Sequence, residues 1–139
     1  MIKRFSFLLV LFVLALGAMA AARQAADQTQ KIDLGPVEIW TPGTVKALPQ
    51  FKIIVFSDKE GVYAISTICT HKGCVVNFKE KEKMFTCPCH GAQYDADGKV
   101  GRGPAKADLT WYKVDRGTDG RLSVDKTKTV PRGTKWRAP

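Results

Sequence analysis

The sequence predicts an all-β domain, a small antiparallel sandwich or barrel of short strands preceded by one hydrophobic N-terminal helix. Three observations predict it. Beyond the N-terminus the apolar segments are short runs of β-branched and aromatic residues. Gly, Pro and Asp turn signals separate these runs at intervals of about ten residues. No window past the N-terminus repeats its apolar residues with helical periodicity. A chain of 139 residues has room for one such domain, which excludes a second, catalytic one.

The first element is the run Phe5 to Ala22, which follows Lys3 and Arg4 and carries no charge before Arg23. It has no polar face and so reads as a secretory signal peptide or an uncleaved membrane anchor over residues 1–22. Ala18-Met19-Ala20 and Ala20-Ala21-Ala22 offer the small-x-small pattern of a cleavage site. About 18 apolar residues is near the lower limit for spanning a bilayer. Either reading places the rest of the chain on the exported, periplasmic side, membrane-anchored or soluble after cleavage, with Lys3 and Arg4 in the cytoplasm.

Ala- and Gln-rich sequence follows, read as a linker over residues 23–36. The folded domain begins near Ile32 or Val37 and is assigned to residues 37–126, with a basic tail over 127–139. The strand candidates are Val37 to Trp40, Ile53 to Phe56, Val62 to Ser66, Val75 to Phe78, Met84 to Thr86, Leu109 to Val114 and Leu122 to Asp125. Asp58 to Gly61, Asp97-Gly98 and Asp119-Gly120 mark turns, and Glu80 to Lys83 is a charged connection.

The net charge is +9, and without Lys3 and Arg4 there remain 20 basic against 13 acidic residues. This balance favours acidic partners or anionic surfaces. Nucleic acid is not expected, because the charges are scattered through turns and the domain is exported. Lys126, Lys128, Arg132, Lys135 and Arg137 form the one dense cluster, readable as a solubilising tail or a docking patch. No Ser-His-Asp set, recognisable carboxylate pair or phosphate loop is present, so independent catalysis is not expected.

All four cysteines and both histidines lie between Cys69 and His90, in the blocks Cys69-Thr70-His71-Lys72-Gly73-Cys74 and Cys87-Pro88-Cys89-His90-Gly91. Each block follows a strand candidate, so each is a loop on a rigid scaffold. Cys69 with His71, and Cys87 with His90, offer two pairs of one thiolate and one imidazole. Zinc could use all four, although Cys69-x-His71 is tighter than the usual ligand spacing. A [2Fe-2S] cluster, one iron on two thiolates and the other on two imidazoles, accounts for more of the set. Cys74 and Cys89, one in each loop, can form a disulfide in an exported protein. Gly73 and Gly91 suit tight backbone positions where N–H groups can point at sulfur, and Pro88 stiffens the second loop. A zinc- and disulfide-stabilised binding module remains the structural alternative.

The two blocks resemble the cluster-binding boxes of Rieske iron–sulfur proteins. Gly101-Arg102-Gly103-Pro104-Ala105 resembles the family's proline loop, in which Gly103 and Pro104 would cover the cluster on its third side. Val62 to Ser66 and Leu109 to Val114 sit where the family has strands, so the resemblance covers most of Val37 to Asp125. It implies a small Rieske-type β-sandwich with a cluster-binding subdomain and one [2Fe-2S] cluster per chain. Cys69 and Cys87 would bind the buried iron, His71 and His90 the outer one, and Cys74 and Cys89 would form the disulfide of the high-potential, quinol-oxidising members.

Two positions depart from the family pattern or tune it. Many high-potential members have Ser where this chain has Ala92, so one hydrogen bond to the cluster is missing. Tyr94 matches the family tyrosine that bonds a ligating cysteine sulfur, here Cys69. The two together imply a potential below that of two-donor proteins. Lys72 stands where quinol-oxidising members commonly carry Leu at the exposed tip, which favours an acidic redox partner. Lys3-Arg4 is a near match to a twin-arginine signal.

The resemblance implies an electron-transfer subunit of an oxidoreductase rather than an enzyme on its own. It would be the iron–sulfur subunit of a quinol:cytochrome c oxidoreductase of the bc type, partnered by quinol, cytochrome b and a c-type cytochrome. The alternative is the small Rieske subunit of a periplasmic oxidoreductase such as arsenite oxidase, partnered by a molybdenum subunit. The membrane would be a partner through the N-terminus if that segment is uncleaved.

Overall fold

In the computed structural model, residues 31–138 are described. They form ten strands in two antiparallel sheets. The N-terminal helix and most of the linker expected from the sequence lie outside the described residues. Among the described residues, no helix is long and apolar enough to cross a membrane.

The larger sheet has six strands in the order β1-β10-β9-β4-β3-β2. They are β1 (Lys31–Pro36), β2 (Val45–Leu48), β3 (Ile53–Asp58), β4 (Gly61–Ser66), β9 (Trp111–Arg116) and β10 (Arg121–Val130). The smaller sheet has the order β5-β6-β7-β8, built from β5 (Asn77–Lys79), β6 (Met84–Thr86), β7 (Gln93–Asp95) and β8 (Val100–Arg102). This is the antiparallel all-β class that the short runs and regular turns predict.

β3 and β4 form a hairpin in which Ile54 faces Ile65 and Phe56 faces Tyr63. Nearly every residue of both strands is buried, so both faces of the hairpin are covered. Ile54, Phe56, Tyr63 and Ile65 project into one core with Phe85, Tyr94, Leu109, Trp111, Cys69 and Cys87. Ile53, Val55, Val62 and Ala64, at the alternate positions, point to the opposite face and are buried there. Rings link the two sheets: Phe78 and Phe85 of the small sheet lie 5.0 and 6.2 Å from Phe56, which stacks on Tyr63, which stacks on Trp111 at 4.7 Å. The cysteine- and histidine-bearing loops are thus mounted on one continuous hydrophobic core.

Several sequence expectations shift. Val37 to Trp40, expected as a strand, begins with a short 3-10 turn over Val37–Ile39 and ends with Trp40 folded inward. The Trp40 indole donates to the Leu34 carbonyl, while the Trp40 carbonyl accepts the Ser57 hydroxyl. Pro36 ahead of it cannot donate to a ladder, which breaks the strand there. Lys31–Pro36, expected as linker, is an edge strand, so the sheet starts at the earlier of the two anticipated positions. Residues 127–130, expected in a basic tail, continue β10 after a bulge between Asp125 and Thr129. The tail then returns to the sheet: Trp136 and Val62 exchange backbone hydrogen bonds of 2.8 Å in both directions. Lys135 anchors it on Asp58 and Glu60.

Candidate metal centre

The two loops are closed by the same backbone pattern. In the first, Cys69 N–H donates to the Cys74 carbonyl at 2.7 Å and Gly73 N–H to the Cys69 carbonyl at 2.9 Å. In the second, Cys87 N–H donates to the Ala92 carbonyl at 2.8 Å and Gly91 N–H to the Cys87 carbonyl at 3.0 Å. Each loop needs a residue in the left-handed region at its fifth position, and Gly73 and Gly91 supply it with φ of +75° and +72°. No heavy atom lies near enough to crowd a Cβ at either glycine, so conformation and not space requires glycine. Their amides, expected to point at sulfur, close the turns instead. The amides directed at the Cys69 sulfur are those of His71 and Lys72.

A disulfide joins Cys74 to Cys89 across the loops. It leaves Cys69 and Cys87 as free thiols, only 2% and 3% exposed. The Cys87 sulfur lies within 4.8 Å of both disulfide sulfurs, but those two are bonded to each other and have no thiolate to offer. The His71 and His90 rings meet nearly perpendicular, with centroids 4.8 Å apart. His90 is exposed, whereas the Nδ1 of His71 is buried with no hydrogen-bond partner. A buried imidazole nitrogen left unpaired costs desolvation energy unless something binds it. Two buried unpaired thiols, one orphaned imidazole nitrogen and a second imidazole beside it fit a two-iron cluster with mixed sulfur and nitrogen ligands.

Tyr94 on β7 sits beneath the first loop. Its hydroxyl is 3.2 Å from the Cys69 sulfur and accepts the Thr70 N–H at 3.2 Å. Burial works to raise the Cys69 thiol, but the Tyr94 hydroxyl, the amides of His71 and Lys72 and the Cys87 thiol outweigh it and hold it below its ordinary range. Burial and the adjacent Cys69 sulfur push the Tyr94 phenol upward, so it stays a donor. Ala92 is fully buried and brings no polar side chain.

Gly103 and Pro104 are joined by a cis peptide in an exposed loop. Thr70 ties that loop to the first box: its hydroxyl donates to the Ala107 carbonyl at 2.6 Å and lies 3.1 Å from the Tyr94 hydroxyl. Sequence reasoning missed Thr70, because an exposed threonine between two candidate ligands carries no periodic or compositional signal. It also missed Asp108, whose carboxylate accepts the Val100 N–H at 2.9 Å and so fixes the far end of the same loop.

The family profile of the Rieske [2Fe-2S] domain matches residues 24–113. The chain is similar to the cytochrome b6-f complex iron-sulfur subunit of Synechococcus elongatus strain PCC 7942, with 49% identity over 70 residues, 50% of this chain and 39% of that one. It is similar to the subunit of the same name from Parasynechococcus marenigrum, with 44% identity over 85 residues, 61% of this chain and 48% of that one. The matched segments thus span less than half of these relatives. Among solved structures it resembles the plasma membrane Rieske protein PetC3 of Synechocystis PCC 6803, with a TM-score of 0.50 and 31% identity over 67% of this chain and 97% of that one. A profile match that takes in both loops, the disulfide and the loop of Gly103 and Pro104 makes this chain a member of the Rieske [2Fe-2S] domain family.

Proposed function

We propose that the protein is an exported one-electron carrier, the iron–sulfur subunit of a quinol:cytochrome c oxidoreductase of the bc type. In this reading Cys69 and Cys87 would hold one iron of the cluster, and His71 and His90 would hold the other. The observation that carries it is the sorting of the six sulfur and imidazole side chains into a disulfide, two buried free thiols and two adjacent imidazoles. The similarity to cytochrome b6-f iron-sulfur subunits supports the quinol complex as the setting.

When bound, the cluster supplies reversible one-electron chemistry, and histidine ligands make it less negatively charged than an all-cysteine one. The chain's own residues do the rest. The disulfide and the twin turns fix the distance between the loops. Tyr94 donates to the Cys69 sulfur and stabilises its negative charge. The orphaned Nδ1 of His71 is the nitrogen available to metal, which leaves Nε2 to hold a proton and exchange it with a quinol. His90, exposed, gives that exchange its access to the surface. The loop of Gly103 and Pro104, fastened through Thr70, limits water on the remaining side.

A second reading, the small Rieske subunit of a periplasmic oxidoreductase such as arsenite oxidase with a molybdenum partner, is favoured by one observation. Lys72, between His71 and Gly73, is exposed and charged at the tip. Purification of the native protein from its membranes separates the two. A co-purifying cytochrome b and quinol-dependent reduction support the first reading. A co-purifying molybdenum subunit with no reduction by quinol contradicts it.

A further inference from the structure

The end of the domain that carries His71 and His90 is built from three segments: the two loops and the covering loop. Residues 69–74, 87–92 and 101–107 contain Lys72, Arg102 and Lys106 and not one Asp or Glu. All three cations are exposed. The topology brings them to the same end. Lys72 follows His71 directly, and Lys106 precedes Ala107, the residue bonded to Thr70. Arg102 pairs across the sheet with Gln93, two residues after Gly91.

Some cations elsewhere lie on carboxylates, as Lys113 does on Asp115, Arg121 on Asp33 and Lys135 on Asp58 and Glu60. Among the described residues, Lys72, Arg102 and Lys106 form no ion pair and no side-chain hydrogen bond. The first carboxylate past the covering loop, Asp108, is already engaged by the Val100 N–H and by Arg132 at 3.4 Å. Three exposed positive charges therefore lie on the segments that carry the imidazoles and on the loop tied to them, and those segments hold no acidic residue.

We propose that this end is a docking surface for an acidic electron-transfer protein, steered onto the imidazoles by Lys72, Arg102 and Lys106. The inference rests on the reading above that the loops hold a redox cluster, and adds the chemistry of the partner. Electron transfer falls steeply with distance, so a partner must approach the edge where the histidines lie. Unscreened like charges around that edge accelerate encounter with an opposite-charged face and repel a basic one. Seating the same edge in a wholly apolar pocket would require stripping water from Lys72, which is costly without a counter-charge.

The test uses the full-length, cluster-loaded protein, reduced and mixed by stopped flow with two high-potential oxidants, an acidic plastocyanin and a basic mitochondrial cytochrome c. The second-order rate constant for the acidic oxidant should fall about tenfold between about 10 and about 200 mM ionic strength, and that for the basic one should not fall. A Lys106→Glu/Arg102→Glu double variant, away from the ligand loops, should lose about tenfold of the acidic rate at low salt. Its EPR line shape should be unchanged, which shows that the ligand set is intact. Lys72→Gln should lower the same rate by a smaller factor. A rate that ignores salt, or variants that leave the acidic rate intact while the EPR signal is retained, would overturn the docking proposal alone. Absence of a cluster signal in the unaltered protein would overturn the underlying reading as well. Salt-sensitive binding to phosphatidylglycerol vesicles, with equal rates for both oxidants, would assign the patch to a membrane surface and overturn the proposal.

Discussion

At the scale of the residue, the proposed function gives Tyr94 and Ala92 the tuning of the cluster's potential. The Tyr94 hydroxyl stabilises negative charge on the Cys69 sulfur, and so the reduced state. Tyr94→Phe should lower the potential by some tens of millivolts, and Ala92→Ser should raise it by adding a donor at a fully buried position. A redox titration of both variants that gives shifts of the opposite sign would contradict this account. Cys69 and the loop glycines were legible from sequence because their residue types are themselves the signal, and Tyr94 was legible through its match to the family tyrosine. Thr70 and Asp108 were not, because a threonine or aspartate becomes structural only through the partner it meets, here Ala107 and Val100.

At the scale of the element, the C-terminal segment is a strap rather than a tail. Trp136 pairs with Val62, and a Cβ at Gly61 (φ +141°) would sit 2.0 Å from the Trp136 carbonyl oxygen. Gly61→Ala should therefore displace the strap and cost about 1–3 kcal/mol. The strap's ionic anchor also has a pH range. Burial acts to raise the Asp58 carboxyl, but Lys135 and the amides of Glu60 and Gly61 outweigh it and hold it below the usual carboxylate value. Burial acts to lower Lys135, but Asp58 and Glu60 outweigh it and raise it. The Asp58 contribution is then present above about pH 4 and lost as pH falls through the lowered value, while that of Lys135 is lost only as pH rises above about 10. Hydrogen exchange at Val62 and Trp136, corrected for intrinsic rate, should show protection at pH 7 that drops at pH 3 ahead of β3. Equal loss across β3 and the strap would contradict it.

The same strap explains what could not be read in advance. Strands such as β3, β4 and β6 announce themselves by apolar runs, whereas β2, β7 and β8 are short and mostly polar or exposed. Their pairing is dictated by neighbours. The continuation of β10 through Lys126 to Val130 was hidden because lysines alternate with threonines there, a pattern that composition alone assigns to a solvated tail.

At the scale of the whole molecule, one core supports two sheets and the disulfide holds the loop ends together. The cysteines are separated by 15 residues, a closure worth about 3 kcal/mol on the chain-entropy model. A Cys74→Ser/Cys89→Ser variant should unfold about 3 kcal/mol more easily in denaturant and release its cluster before the fold is lost. Unchanged midpoints for both events would contradict that assignment. The proposed docking surface acts at this scale too, through the exposed Lys72, Arg102 and Lys106.

The central claim is that two thiolates and two imidazoles of this chain share one [2Fe-2S] cluster. Pulsed EPR on the dithionite-reduced full-length protein tests it most directly, through the nitrogen couplings of the reduced centre. The account predicts a red-brown protein whose signal has the low average g of a histidine-ligated cluster and two histidine nitrogen couplings, one of them lost in His90→Cys. A colourless zinc protein, or a cluster signal without nitrogen coupling, would contradict it.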